Sequence, residues 1–272
     1  MKYTIVNGEF IPSEKASILI SDLAIQRGYG IFDFFKTINN KPVFLDDHLD
    51  RFFHSARQMR LPINLSRNGL KDILNELIEK NNIPGSGIRI TITGGYSPDG
   101  YSIADPNMII TQQILNIKED ISQQGIKLMT YQHSRQVPDA KTLDYLMAVW
   151  LQPVIREKNA DDVLYFNNNQ IAECPRANFF IVTSDNIVLT PQKNILKGVI
   201  RKNVLQLSEN SIEIFESNVS CEDLKNCKEA FITSSTKNIL PVIEIDGKQI
   251  GNGKTGEIAL SLSKKLLEKI HS

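Results

Sequence analysis

Residues 137–182 constrain the fold of this chain more than any other stretch. They read VPDAKTLDYLMAVWLQPVIREKNADDVLYFNNNQIAECPRANFFIV. A loop carries Lys141, and an amphipathic helix is expected over 142–158. Two apolar runs, Asp162–Phe166 and Asn178–Val182, have the length and composition of buried strands. Pro153 should kink the helix or divide it, because proline lacks an N–H and its ring collides with the preceding turn. Asn167–Gln170 supplies a turn, so the two strands are expected to lie side by side and to bring Glu173 back towards the start of the helix. A lysine meeting a glutamate in this way makes an ordinary salt bridge in many proteins. It also makes a nucleophilic amine with an acid nearby. The spacing alone leaves both readings open.

Motifs on either side favour the second. Lys141-Thr142-Leu143-Asp144-Tyr145 is followed by Glu173-Cys174-Pro175-Arg176-Ala177-Asn178-Phe179-Phe180. Upstream stand Asp22, Arg27, Gly28, Gly30, Phe32 and Asp33, then His48, Arg51, Ser55 and Ala56; downstream stand Leu196, Gly198, Val199, Ile200 and Arg201. Over nearly its whole length the chain resembles the class IV, or fold-type IV, pyridoxal-phosphate-dependent aminotransferases. The resemblance implies a mixed α/β (α+β) fold in two domains, like that of the D-amino-acid aminotransferases. Residues 1–112 would form a small N-terminal α/β domain and 113–125 a connection. Residues 126–272 would form a larger C-terminal α/β domain carrying the lysine.

The same resemblance implies roles. Pyridoxal 5'-phosphate would be the cofactor, with Lys141 linked to its aldehyde and acting as the base that moves the α-proton. Glu173 would keep the ring nitrogen protonated. Arg51, which shares a helix face with Ser55, would contact the phosphate, for which a planar guanidinium suits two charge-assisted bonds. Gly198 opens a helix whose Val199 and Ile200 amides would hold the same phosphate, as free N–H groups at a helix start can. Ser235 and Thr236, at the end of a buried strand, would add hydroxyls. Taken singly, each of these residues also reads as a solvated charge, a helix cap or a strand cap. Arg27 sits in a loop that in the family reaches the neighbouring subunit's site, so a homodimer is expected.

Substrate choice divides the family. Arg27, Arg89, Arg176 and Lys237 form a basic set suited to a substrate with two carboxylates, such as D-glutamate with 2-oxoglutarate. One type of D-transaminase has an arginine trap in a T-R-G context; here Thr93-Gly94-Gly95 stands instead. RGYGIFDFF and TGGYSPDGY are similar to segments of a second, less common D-transaminase type. The reading adopted is a transaminase moving an amino group between an amino acid, of the D series, and a 2-keto acid. The alternatives are a branched-chain L-amino-acid aminotransferase, an aminodeoxychorismate lyase, and a silent protein that binds the cofactor without turnover.

Composition closes off other classes. Lys plus Arg is 31 and Asp plus Glu is 31, so the zero net charge gives no reason to expect nucleic acid or an anionic membrane as partner. The N-terminus shows no signal-peptide pattern, and no apolar run is long enough to span a bilayer. Cys174, Cys221 and Cys227 are odd in number and lack CxxC spacing, which points to a reducing cytoplasm. A metal site built on Asp46, Asp47, His48 and His54 is unfavourable, because the two histidines lie on different helix faces. No metal is expected.

Overall fold

The computed structural model describes residues 2–116, 125–208 and 212–271, so residues 117–124 of the expected connection lie outside the described residues. Contacts divide the chain into two compact units. One is Met1–Ile117 with Asp139–Asp144; the other is Lys118–Pro138 with Tyr145–Ser272. The segment around Lys141 therefore packs with the first unit, where the sequence reading has it in the C-terminal domain.

The first unit runs β1 (Tyr3–Val6), β2 (Glu9–Pro12), α1 (Leu23–Arg27), β3 (Gly30–Ile38), β4 (Lys41–Pro42), α2 (Leu45–Gln58), α3 (Arg67–Asn81), β5 (Ser86–Thr93) and β6 (Met108–Ile114). Its six strands are ordered β2-β1-β6-β5-β3-β4, and every pairing is antiparallel. Asn7 and Gly8 both have positive φ, the geometry of a two-residue hairpin whose twist matches its strands. Alternation along β5 puts Ile88, Ile90 and Ile92 into a core with Leu49 and Phe52 of α2 and Leu70, Leu74 and Leu77 of α3. Each such side chain contributes about 1.5–3 kcal/mol by leaving water. Helix α2 starts at Leu45, after Phe44 in the left-handed region. Asp46 and Asp47 lie in its first turn and do not cap it.

The second unit runs β7 (Ile126–Gln132), α4 (Leu146–Trp150), α5 (Gln152–Glu157), β8 (Asp162–Asn167), β9 (Gln170–Ile171), β10 (Glu173–Cys174), β11 (Ala177–Val182), β12 (Val188–Pro191), α6 (Val199–Leu205), β13 (Ile214–Ser217), α7 (Asp223–Asn226), β14 (Glu229–Ser234), β15 (Asn238–Ile245), β16 (Lys248–Gln249) and α8 (Glu257–His271). The main path of its sheet is β13-β12-β11-β14-β15-β7-β8-β9; β10 pairs with β11 and β16 with β15.

Two local expectations need correction. The helix after Lys141 does not begin at residue 142. Thr142 forms an antiparallel bridge with Ile31, and the Leu143 amide donates to Gly30 O at 3.0 Å, so residues 142–143 extend along β3. Pro153 then divides the helical stretch into α4 and α5, sitting in the first turn of α5 where a missing N–H costs nothing. Strands β8 and β11 are also not neighbours on the main path, since β14, β15 and β7 intervene. The short β10 joins them instead: Glu173 pairs with Asn178 of β11, while the preceding Ala172 amide donates to Tyr165 O of β8 at 2.8 Å.

Candidate active site

In the first unit the chemistry gathers on β3. Lys141 is fixed there by its backbone: its carbonyl accepts from the Phe32 amide at 2.9 Å, and its amide donates to Ser55 Oγ at 3.1 Å. Gly30 makes this approach possible, because a Cβ there would lie 2.6 Å from Ile92 O and 2.7 Å from Leu143 Cδ1. The Lys141 Nζ lies 4.5 Å from the centre of the Phe32 ring. Arg89, across the sheet on β5, places Cζ 4.0 Å from the same ring. The negative face of an aromatic ring holds such cations in place.

Behind β3, Asp33 is fully buried and takes two bonds from Arg51, from Nε and Nη2, both at 2.8 Å. It also takes one from His48 Nδ1 at 2.7 Å. Burial alone would push the Asp33 pKa up, but the Arg51 guanidinium and His48 outweigh it and hold the carboxyl well below the usual range. Burial pushes the His48 pKa down, against the pull of Asp33. The Nε–Nη2 edge of the Arg51 guanidinium is therefore engaged by Asp33, and Nη1 stands outside that pairing.

Arg27 ends α1, whose start Asp22 caps through the Ala24 amide at 2.8 Å. Asp22 also accepts from Thr93 Oγ1 and Asn107 Nδ2, both at 2.7 Å, tying the loop to β5 and β6. The Arg27 side chain is exposed and donates to Gln26 O.

In the second unit Glu173 is buried among donors. Its Oε1 accepts from Arg135 Nε at 3.0 Å, and its Oε2 from the Leu196 amide at 3.0 Å and Asn178 Nδ2 at 3.2 Å. Arg135 is a residue that sequence reasoning missed. It lies in the loop before Lys141, and its spacing from Glu173 follows no local period. Asn178 Nδ2 also donates to Leu196 O at 2.7 Å, fixing the turn that leads to Gly198. Gly198 precedes α6, where the amides of Val199 and Ile200 find no acceptor within the helix. Arg201 is structural: buried, it donates to Thr190 Oγ1, Pro191 O and Glu216, pinning α6 to β12 and β13.

Glu173, Asn178 and Thr233 stand in register across β10, β11 and β14. The Thr233 hydroxyl is buried and has no hydrogen-bond partner among the described residues. Ser235, Thr236 and Lys237 form the turn from β14 to β15, with Thr236 and Lys237 exposed and Ser235 half-buried. Arg176 is exposed in the tight turn between β10 and β11. Near Arg176 and Lys237 lies the buried Asp162; burial raises its pKa, with the Val163 amide and the two cations opposing. Among the described residues, no group of three His, Cys, Asp or Glu side chains is placed to hold a metal ion.

The family model of the class IV amino-transferases matches residues 30–245. The chain belongs to the class IV aminotransferases. It is 28% identical to a D-alanine aminotransferase of Staphylococcus haemolyticus, over 100% of this chain and 99% of that protein. It is 29% identical to a putative branched-chain-amino-acid aminotransferase of Methanocaldococcus jannaschii, over 97% and 93%. Its fold matches the branched-chain amino acid aminotransferase of Escherichia coli with a TM-score of 0.87 at 26% identity, covering 99% of this chain and 94% of that one. The fold is type IV.

Class IV aminotransferases depend on pyridoxal 5'-phosphate, and the residues present fit that group. The first unit carries a primary amine at Lys141 and a guanidinium at Arg51. The second carries a buried carboxylate at Glu173, helix-start amides at Val199 and Ile200, and, in register with Glu173, the orphaned Thr233 hydroxyl. An unpaired buried hydroxyl costs stability unless a ligand or water satisfies it. No helix among the described residues is long and apolar enough to cross a membrane.

Proposed function

We propose that this class IV aminotransferase acts on D-amino acids, with dicarboxylic substrates such as D-glutamate and 2-oxoglutarate preferred. The observation that carries the reading is the shared Phe32 ring, with Lys141 Nζ at 4.5 Å and Arg89 Cζ at 4.0 Å. A cation held against the same ring as the reacting amine suits the carboxylate of an amino-acid substrate. The full-length similarity to D-alanine aminotransferases supports the D series. The putative branched-chain relative supports the second reading, a branched-chain L-amino-acid aminotransferase.

The cofactor supplies an electron sink that stabilises charge at the substrate α-carbon. The rest falls to the chain. Lys141 Nζ provides the covalent anchor and then takes and returns the α-proton. Glu173, held by Arg135, Asn178 and the Leu196 amide, would keep the ring nitrogen protonated. Arg51, the Val199 and Ile200 amides, and Ser235 or Thr236 would hold the phosphate. Arg89, Arg27, Arg176 and Lys237 provide positive charge for substrate carboxylates. We infer a homodimer in a reducing cytoplasm. In support, Leu19, Ile20, Ile25, Tyr101 and Ile103 are exposed, the first three close to Arg27 along the chain, and all three cysteines are free. An apolar surface of this kind suits a second copy of the chain.

A half-reaction tests the substrate reading. The holoenzyme is mixed separately with D-glutamate, D-alanine, L-glutamate and L-leucine, and conversion of the cofactor absorbance to the pyridoxamine form is followed. Conversion by the D-acids alone supports the proposal. Conversion by L-leucine moves the enzyme to the branched-chain group. No conversion by any of them overturns the transaminase specificity proposed and directs attention to aminodeoxychorismate.

A further inference from the structure

Asp33 is a buried carboxylate that the proton transfers at Lys141 leave unused. It lies on the core face of β3 and closes a three-residue clamp with two side chains of α2, one helical turn apart. Its two oxygens accept from Arg51 Nε and Nη2 at 2.8 Å and from His48 Nδ1 at 2.7 Å. A carboxylate can only accept, so His48 carries its proton on Nδ1. The 3.2 Å approach of Arg51 Nη2 to that nitrogen is then a packing contact. The clamp has three consequences for Arg51. Its long side chain is confined to one arrangement before any ligand arrives. Its charge is paired with that of Asp33. Its Nε–Nη2 edge is occupied, which leaves the terminal end that carries Nη1.

We propose that Asp33 and His48 are positioning residues for the cofactor phosphate: they preset Arg51 so that it meets the phosphate end-on through Nη1, as one half of an ion pair. This rests on the reading of Arg51 as a phosphate ligand. It excludes the side-on Nε–Nη2 fork that an unrestrained arginine can offer a phosphate. Preorganisation accounts for the arrangement, because a side chain already ordered loses little freedom on binding.

The test measures dissociation constants of pyridoxamine 5'-phosphate and of pyridoxamine with the full-length protein cleared of cofactor. Neither ligand can link covalently to Lys141, so the values report grip alone. Asp33→Asn is expected to weaken pyridoxamine 5'-phosphate by about ten-fold or more, the loss of one charge-assisted bond, and to leave pyridoxamine nearly unchanged. His48→Leu should act in the same direction. His48→Asn, whose amide nitrogen can take the place of Nδ1, should restore phosphate-dependent binding; this pair decides the matter if Asp33→Asn does not fold. Arg51→Met separates the role of the arginine from that of its clamp. If Arg51→Met loses phosphate-dependent affinity while Asp33→Asn and His48→Leu keep it, the clamp is structural and the proposal fails with the Arg51 reading intact. If Arg51→Met binds as the unaltered protein does, the Arg51 reading fails and takes the proposal with it. A lowered melting temperature without any change in the ratio of the two constants also overturns it.

Discussion

The backbone amide of Lys141 donates to the side-chain hydroxyl of Ser55, one turn along α2 from Arg51. One helix face thus secures the lysine loop and the guanidinium clamp together. The Lys141 backbone also accepts from the Phe32 amide, so the loop is secured through main-chain groups.

Lys141→Ala should therefore leave the first unit folded while removing the covalent anchor and the base. Turnover is expected to fall by at least about 10³-fold, since general-base catalysis alone contributes 10²–10⁴-fold. Circular dichroism and the melting temperature should stay close to those of the unaltered protein. Substantial activity in this variant would refute the mechanism.

Stability should fall in acid in two stages. His48 is neutral in the fold, because burial lowers its pKa from 6.5, so the unfolded chain takes up its proton first and stability declines below about pH 6.5. The Asp33 pKa is depressed in the fold, where Arg51 and His48 outweigh burial, so its contribution is present above about pH 4 and lost below. Thermal melts from pH 8 to pH 3 check both signs. His48→Asn should flatten the upper stage and keep the lower.

Gly198→Ala should damage the second unit without any backbone strain, since Gly198 has φ −66°. The added Cβ would lie 2.0 Å from Asn178 Oδ1. Asn178 must then withdraw from Glu173 and Leu196. A loss of about 1–3 kcal/mol in stability is expected from the overpacking, with weaker cofactor binding. Denaturant midpoints and cofactor titration read the two effects.

Arg135→Leu removes the cation from a buried carboxylate. Breaking such a pair costs about 3–5 kcal/mol, because the remaining charge stays buried. Arg135→Lys should recover part of this. Urea melts of both variants order the three proteins as unaltered, lysine, leucine; an Arg135→Leu protein as stable as the original would contradict the pairing.

What the sequence discloses of this molecule is mostly local. Asn7-Gly8 and Asn168-Asn169 need positive φ at both turn positions, and residue type alone announces that. The helix break at Pro153 comes from one missing N–H. The alternation of Ile88, Ile90 and Ile92 with Arg89 marks the two faces of β5. Long-range pairings are harder. A turn after β8 suggests that β11 lies beside it, but the choice among strand partners depends on β7, β14 and β15, whose alignment no local pattern encodes. In the site, Lys141, Glu173 and Arg51 stand in motifs and can be named in advance. The Arg135–Glu173 pair joins a loop to a strand across 38 positions. The Asp33–Arg51 pair spends a side chain that motif reading assigns wholly to the ligand. Those two depend on burial, which residue identity alone does not reveal.

The Asp139–Asp144 segment belongs to the first unit although its sequence neighbours on both sides belong to the second. The first unit is therefore discontinuous along the chain. A ribosome that has released only the first 117 residues has not yet supplied the partner for Gly30–Phe32. The edge that Lys141 and Thr142 will cover is still open at that stage. Its completion must wait until the chain is past Asp144, so an excised N-terminal fragment would carry an unpaired strand edge prone to self-association.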